Sequence, residues 1–244
     1  MNADQDRDFA VLCLTSNRYV RCIPAFAYCF TRYWPDQQVH IGHYDVAPEV
    51  GTFPSEWPLL YLGKQEETPW SLGLLRALKL LKCRFVALFF EDHWLCEPVK
   101  MQRVGHILDH MRCSSDVGKV DLTGDRMRFP HTDYARDPDY VQAVTSRSAY
   151  RADAGFKHKL YLMSYQPAIW RTSFLQAHLR QEEDAWQSEE RGTVRLLDTP
   201  CVILGCKQQP PVWHVEAVKA RKPDLLRTER FDPAFLEQLS AVGV

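Results

Sequence analysis

Apolar positions along the chain fall into short runs separated by polar turns, and the runs alternate between two periods. Phe9 to Leu14 is a near-continuous apolar run that stops at Thr15, Ser16 and Asn17. Such a run suits a strand buried on both faces of a parallel sheet. Ile23, Phe26, Ala27 and Phe30 then recur at helical spacing, with Pro24 in the first turn. Residues 39–45 alternate as a second strand, and 59–63 form a third. Thr68-Pro69 reads as an N-cap followed by a first-turn proline, opening a helix marked by Leu74, Leu75, Leu78 and Leu81. Phe85 to Phe90 (FVALFF) is the most apolar strand and ends in Glu91-Asp92-His93. A helix after Pro98 carries Val104, Ile107, Leu108 and Met111 on one face, and 117–123 is a further strand. Residues 124–159 are polar and aromatic with little periodicity. Strand character resumes at 160–165 and at 201–205, with a helix from Thr172 to about Glu183.

Strands alternating with helices predict an α/β fold: a mixed, mostly parallel sheet with helices on both faces. No repeat and no Gly/Ser-rich linker divides the chain. It reads as one domain, residues 1–123 forming a nucleotide-binding-like half and 124–244 an acceptor half.

Composition narrows the classes. With 244 residues, 45% hydrophobic and 25% charged, the chain is an ordinary globular protein. Thirty Lys and Arg against 31 Asp and Glu give a net charge of −1, so nucleic-acid binding would need a local patch. No apolar run reaches membrane-spanning length. The polar N-terminus lacks the halves of a signal peptide, and the expected location is the cytoplasm. The eight cysteines include no CxxC pair and read as reduced, mostly buried thiols.

Ligands of open α/β sheets bind beyond the carboxyl ends of the strands. That rule selects Thr15, Asn17 and Arg18 after the first strand, Asp45 after the second, and Glu91, Asp92 and His93 after FVALFF. Neither GxGxxG nor a P-loop is present to hold phosphates. Carboxylates at Glu91 and Asp92 would suit Mg²⁺ or Mn²⁺ bridging a diphosphate, or would cap the following turn. His214, with Lys219 and Arg221 nearby, could complete a metal–diphosphate site or belong to a solvated tail. In QEEDAWQSEERG, Trp186 stands among Asp184, Glu189 and Glu190; such a charge run reads as a solvated helix end, or else the aromatic stacks a sugar beside a carboxylate base. No GxSxG elbow supports nucleophilic catalysis.

Taken together, TSNRY after the first strand, FVALFFEDHWLCEPV, SYQPAIWRTSFL and AWQSEERG resemble the sugar-nucleotide glycosyltransferases of the GT-A (Rossmann-like) class, of the small bacterial and phage kind. The resemblance implies a hexosyl- or pentosyltransferase. Thr15, Asn17, Arg18 and Asp45 would hold the nucleoside of a donor such as a UDP-sugar, with Lys219 and Arg221 on its phosphates. Glu91 and Asp92, with His214, would ligate Mn²⁺ or Mg²⁺. Gln166, Trp170 and Trp186 would line the sugar or acceptor site. Glu189, or failing it Asp184, would be the general base. The acidic motif departs from Asp-x-Asp, with His93 in the place of the second carboxylate.

Arg147 and Arg151, in a stretch of basic and aromatic residues, would contact the acceptor. That acceptor is a glycan in surface-polysaccharide synthesis or, alternatively, a 5-hydroxymethylated pyrimidine in DNA. Two further readings are a catalytically inactive sugar- or nucleic-acid-binding module and a metal-dependent hydrolase.

Overall fold

A computed structural model describes residues 7–152, 160–219, 222–226 and 233–241. Its strands are β1 (Arg7–Leu14), β2 (Val39–His43), β3 (Leu59–Tyr61), β4 (Cys83–Phe90), β5 (His93–Leu95), β6 (Val117–Asp121), β7 (His131–Asp133), β8 (Tyr140–Ala143), β9 (Ala168–Arg171), β10 (Val202–Cys206), β11 (His214–Glu216), β12 (Val218–Lys219) and β13 (Lys222–Leu226). Helices are α1 (Ile23–Tyr33), α2 (Trp70–Leu81), α3 (Met101–Cys113), α4 (Arg147–Ala152), α5 (Thr172–His178), α6 (Ala185–Arg195) and α7 (Pro233–Ala241). The fold is mixed α/β with flanking helices, as the alternation of periods implies. No described helix is long and apolar enough to cross a membrane.

The chain packs as two compact units. One comprises residues 11–68, 89–99 and 212–244. Here β1, β2 and β3 are parallel, with Val11 opposite Val39 and Ile41 opposite Leu59. Helix α1 follows β1 and buries Phe26 and Phe30 completely. These join Trp34, Trp57 and Phe89 in an aromatic core in which the Phe30 and Trp34 rings stack at 5.3 Å. Aromatic side chains bring the largest apolar area per residue, which makes five of them the anchor of this small unit. The short strands β5 and β11 pair antiparallel, as do β12 and β13.

The other unit comprises residues up to 10, 69–88 and 100–211. Strand β9 lies antiparallel between β4 and β6. Strand β6 pairs parallel with β10, which carries the antiparallel strands β8 and β7 on its far side. Gly118 lets Phe174 of α5 close onto β6, since a Cβ there would lie 2.6 Å from the ring.

Four local expectations change, the first being that α5 ends at His178 and does not reach Glu183. Helix α2 begins at Trp70, with Pro69 at the cap in an extended conformation (φ −50°, ψ 150°). Thr68 therefore does not cap it; the Ser71 amide donates instead to the Glu183 carbonyl at 3.1 Å, and the Ser71 hydroxyl donates there too, at 2.5 Å. That satisfies first-turn donors from a distant segment. Residues 160–165 are not a strand. Their backbone groups are taken by side chains, and β9 forms a few residues later. The stretch after 124 is more ordered than its composition indicates, containing a 3-10 turn (Gly124–Arg128), β7, β8 and α4.

Candidate active site

In the parallel unit the loops at the strand ends are tied by one polar network. The Asn17 amide nitrogen of the backbone donates to Gln65 Oε1 at 2.7 Å. The Asn17 side chain donates to Asp45 Oδ2 at 3.2 Å and accepts from the Val46 amide at 3.0 Å. Asp45 Oδ2 also accepts from the Gln65 amide at 2.8 Å. Asn17, Asp45 and Gln65 thus brace the loops that follow β1, β2 and β3. The Gln65 amide and the Asn17 side chain hold the Asp45 carboxyl below its ordinary pKa. Thr15 is buried, its amide donating to the Gly42 carbonyl at 2.9 Å, while Arg18 is exposed over the Tyr19 ring. Gln65 escaped the sequence reading because a lone glutamine in a polar loop carries no pattern.

At the end of β4 the Glu91 side chain is 7% exposed. Burial and the adjacent Asp92 push its carboxyl well above the ordinary carboxylate range. Trp94 Nε1 donates to the Glu91 carbonyl at 3.0 Å, and the Ala217 amide donates to the Asp92 carbonyl at 2.8 Å. His93 Nδ1 accepts from the Phe90 amide at 3.1 Å, which leaves the proton of a neutral ring on Nε2. Burial and His214 hold His93 well below its usual pKa, so it is neutral at physiological pH. Pairing of β5 with β11 brings the His93 and His214 rings to 5.0 Å. The structure thus gathers Glu91, Asp92, His93 and His214 into one neighbourhood. Among the described residues, however, no three His, Cys, Asp or Glu side chains form a metal-holding group. A cation here would rest on the Glu91–Asp92 carboxylates and complete its shell with water and substrate oxygens, as Mg²⁺ commonly does. Burial raises the Cys13 thiol, and it raises Cys22 to about 12, so neither is a ready nucleophile. Lys219 lies on β12; Arg221 is outside the described residues.

The remaining candidates stand in the mixed-sheet unit. Glu189, on α6, accepts the Tyr165 amide on Oε1 at 2.8 Å. Asp184 caps the same helix: its Oδ1 accepts the Gln187 amide at 2.7 Å, and Gln187 Oε1 accepts the Asp184 amide at 3.2 Å. The helix is anchored by Glu183, whose carboxylate oxygens each receive a guanidinium bond of 2.7 Å from Arg195. Trp186 is 66% exposed, an open aromatic face on the first turn of α6. Trp170, by contrast, is fully buried on β9 beside Tyr165 and Phe174, and so packs as core. Gln166 is half-buried, its amide donating to the Ser164 hydroxyl at 3.3 Å. Arg147 is engaged by Asp198 through its amide at 2.9 Å and its Nε at 3.1 Å, and Arg151 is exposed on α4. Lys157 and Lys159 lie outside the described residues.

The sequence reading also passed over Lys119 and Asp121, and counted Arg126 only within the basic stretch after 124. The signal of the first two was legible: charges at alternate positions of the apolar stretch 117–121 must share one face of a strand.

No protein-family model matches the chain, and no curated protein matches it. Solved structures do. A nucleotidyl transferase from Methanothermobacter is similar at a TM-score of 0.52 and 13% identity, covering 95% of this chain and 99% of that one. CMP:2-keto-3-deoxy-manno-octonic acid synthetase, complexed with CTP, is similar at 0.49 and 12% identity over 96% and 98% of the two chains. Residues 1–349 of S. aureus TarS are similar at 0.49 and 12% identity over 84% of this chain. The chain spans 59% of that TarS fragment and 36% of a longer TarS structure. At such identities the likeness is one of fold, which this chain shares with a nucleotidyl transferase.

Proposed function

We propose that the protein is a glycosyltransferase that moves a sugar from a nucleotide-sugar donor to a hydroxyl acceptor. The observation that carries this reading is the set of polar groups at the carboxyl ends of the strands in the parallel unit. A braced frame of Asn17, Asp45 and Gln65 stands there with buried Glu91 and half-buried Asp92. In an open α/β sheet that is where a nucleotide binds.

In this reading Thr15, Asn17, Arg18 and Asp45 receive the nucleoside. Glu91 and Asp92 would hold Mg²⁺ or Mn²⁺, which would supply charge neutralisation to the leaving diphosphate. Glu189 accepts the proton of the acceptor hydroxyl as its oxygen bonds to the anomeric carbon. The bond from that carbon to the diphosphate oxygen breaks, and the nucleoside diphosphate leaves. Trp186 offers its exposed face to a sugar ring. A glycan acceptor is favoured over DNA because the charge of Arg147, in the basic stretch, is already matched by Asp198.

The test is product release from a panel of sugar nucleotides with Mn²⁺, Mg²⁺ or EDTA, with and without hydroxymethylated DNA. Release of nucleoside diphosphate from one donor, lost in Asp92→Asn, supports the proposal. Stimulation by that DNA would instead assign the DNA acceptor. Release of pyrophosphate from a nucleoside triphosphate would replace glycosyl with nucleotidyl transfer, and absence of any donor binding would leave the fold without this activity.

A further inference from the structure

The mixed-sheet unit contains a cluster of charges sealed from solvent. Lys119, Asp121 and Arg126 are 0%, 2% and 1% exposed. Lys119 Nζ lies 2.7 Å from Asp121 Oδ1 and 4.7 Å from the centre of the Trp170 ring. Arg126 Nε donates to Asp121 Oδ2 at 2.8 Å. Two buried cations facing one carboxylate leave an excess positive charge, which a low-dielectric interior does not tolerate without a partner.

The same cations hold the irregular segment 160–165. Arg126 donates to the carbonyls of Leu160 and Tyr161, each at 2.8 Å, and Lys119 donates to the Ser164 carbonyl at 2.8 Å. One residue on, the Tyr165 amide donates to Glu189 at 2.8 Å. The Glu189 carboxylate also acts electrostatically on the Lys119 ammonium, in the same sense as Asp121. The Lys119 and Glu189 side chains therefore grip the single peptide group between Ser164 and Tyr165 from opposite sides, one at its carbonyl and the other at its N–H.

We propose that Lys119 is a positioning residue for Glu189. The two complete a charge-balanced set with Asp121 and Arg126, and the backbone threaded between them fixes where the Glu189 carboxylate stands. The catalytic consequence rests on Glu189 being the base of the proposed transfer; the charge set itself does not.

The test is a double-mutant cycle in urea on the full chain, with Lys119→Met, Glu189→Gln and the double variant. Each single change leaves an unbalanced charge, whereas the double change restores balance. The expected coupling is about fivefold or more in the folding equilibrium, and additive effects would overturn the set. Should Lys119→Met fail to fold, Glu189→Gln alone suffices. With lysine labelled at Cε, the Lys119 amine should titrate at lower pH in Glu189→Gln than in the wild type, and an unchanged titration overturns the proposal. Once a donor and acceptor are in hand, Lys119→Met should lower kcat while the donor KM stays within about twofold. An unchanged kcat removes the positioning role. A wild type that transfers no sugar removes Glu189 as the base, while the cycle and the titration still decide the charge set.

Discussion

Glu91 and Asp121 sit in like places and are handled in opposite ways. Each stands at the end of an apolar strand, β4 or β6, and each is almost fully buried. At Glu91, burial and Asp92 drive the carboxyl toward its neutral form. At Asp121, burial pushes the same way, but Lys119 and Arg126 overcome it and hold the carboxyl below its ordinary pKa. A carboxyl kept neutral for want of a cation can surrender its proton when one arrives, whereas one already saturated by two cations cannot take a third. That difference suits Glu91 to the ligand role proposed for it and Asp121 to the frame.

The largest effect that should expose this difference is on stability. Asp121→Asn strands two buried cations and should cost about 3–5 kcal/mol in urea denaturation. Glu91→Gln keeps a neutral, nearly isosteric group and should leave stability at neutral pH unreduced. If the two variants lose equal stability, the contrast fails. Next comes Gly205→Ala on β10. A Cβ there would lie 2.2 Å from Arg126 Cβ, so the guanidinium must leave Asp121, at a cost of about 1–3 kcal/mol.

The pH dependence should then show opposite slopes. Glu91 has a folded pKa raised above its unfolded value of about 4.3, so its contribution falls as pH rises from there toward the folded pKa. Asp121 has a depressed folded pKa. Its contribution is present above about pH 3.9 and disappears as pH falls through the folded value. Urea midpoints across pH should lose the decline that begins above about pH 4.3 in Glu91→Gln alone. The smallest effect belongs to an exposed pair. Lys207 Nζ lies 2.7 Å from Asp133 Oδ1 at the surface, and Lys207→Ala should leave the midpoint unchanged.

Much of this arrangement is legible in the chain, and the gaps have physical causes. The runs at 9–14, 85–90 and 201–205 form β1, β4 and β10 because continuous apolar stretches of that length fit buried strands. Those runs also place Thr15, Asn17 and Glu91 beyond strand ends. The stretch 160–165 has the same apolar look, yet its backbone bonds go to Lys119, Arg126, Thr193 and Glu189, which no local pattern encodes. The acidic run around Trp186 looks like a solvated helix end, whereas Asp184 begins a helix there with a capping box. Trp170 sits in a motif that resembles a cleft lining, but it lies on β9, where Ala168, Ile169 and Trp170 are all buried, and so belongs to the core.

The side-chain grip on residues 160–165 has a consequence for how this chain can vary. Surface loops ordinarily absorb inserted or deleted residues at little cost. Here the carbonyls of Leu160, Tyr161 and Ser164 and the amides of Met163 and Tyr165 each meet a side chain from a different part of the unit. One residue more or fewer between positions 160 and 165 would move at least one of those groups out of reach. The number of residues in this segment is therefore constrained more tightly than their identities, and related chains should differ here by substitution and not by length.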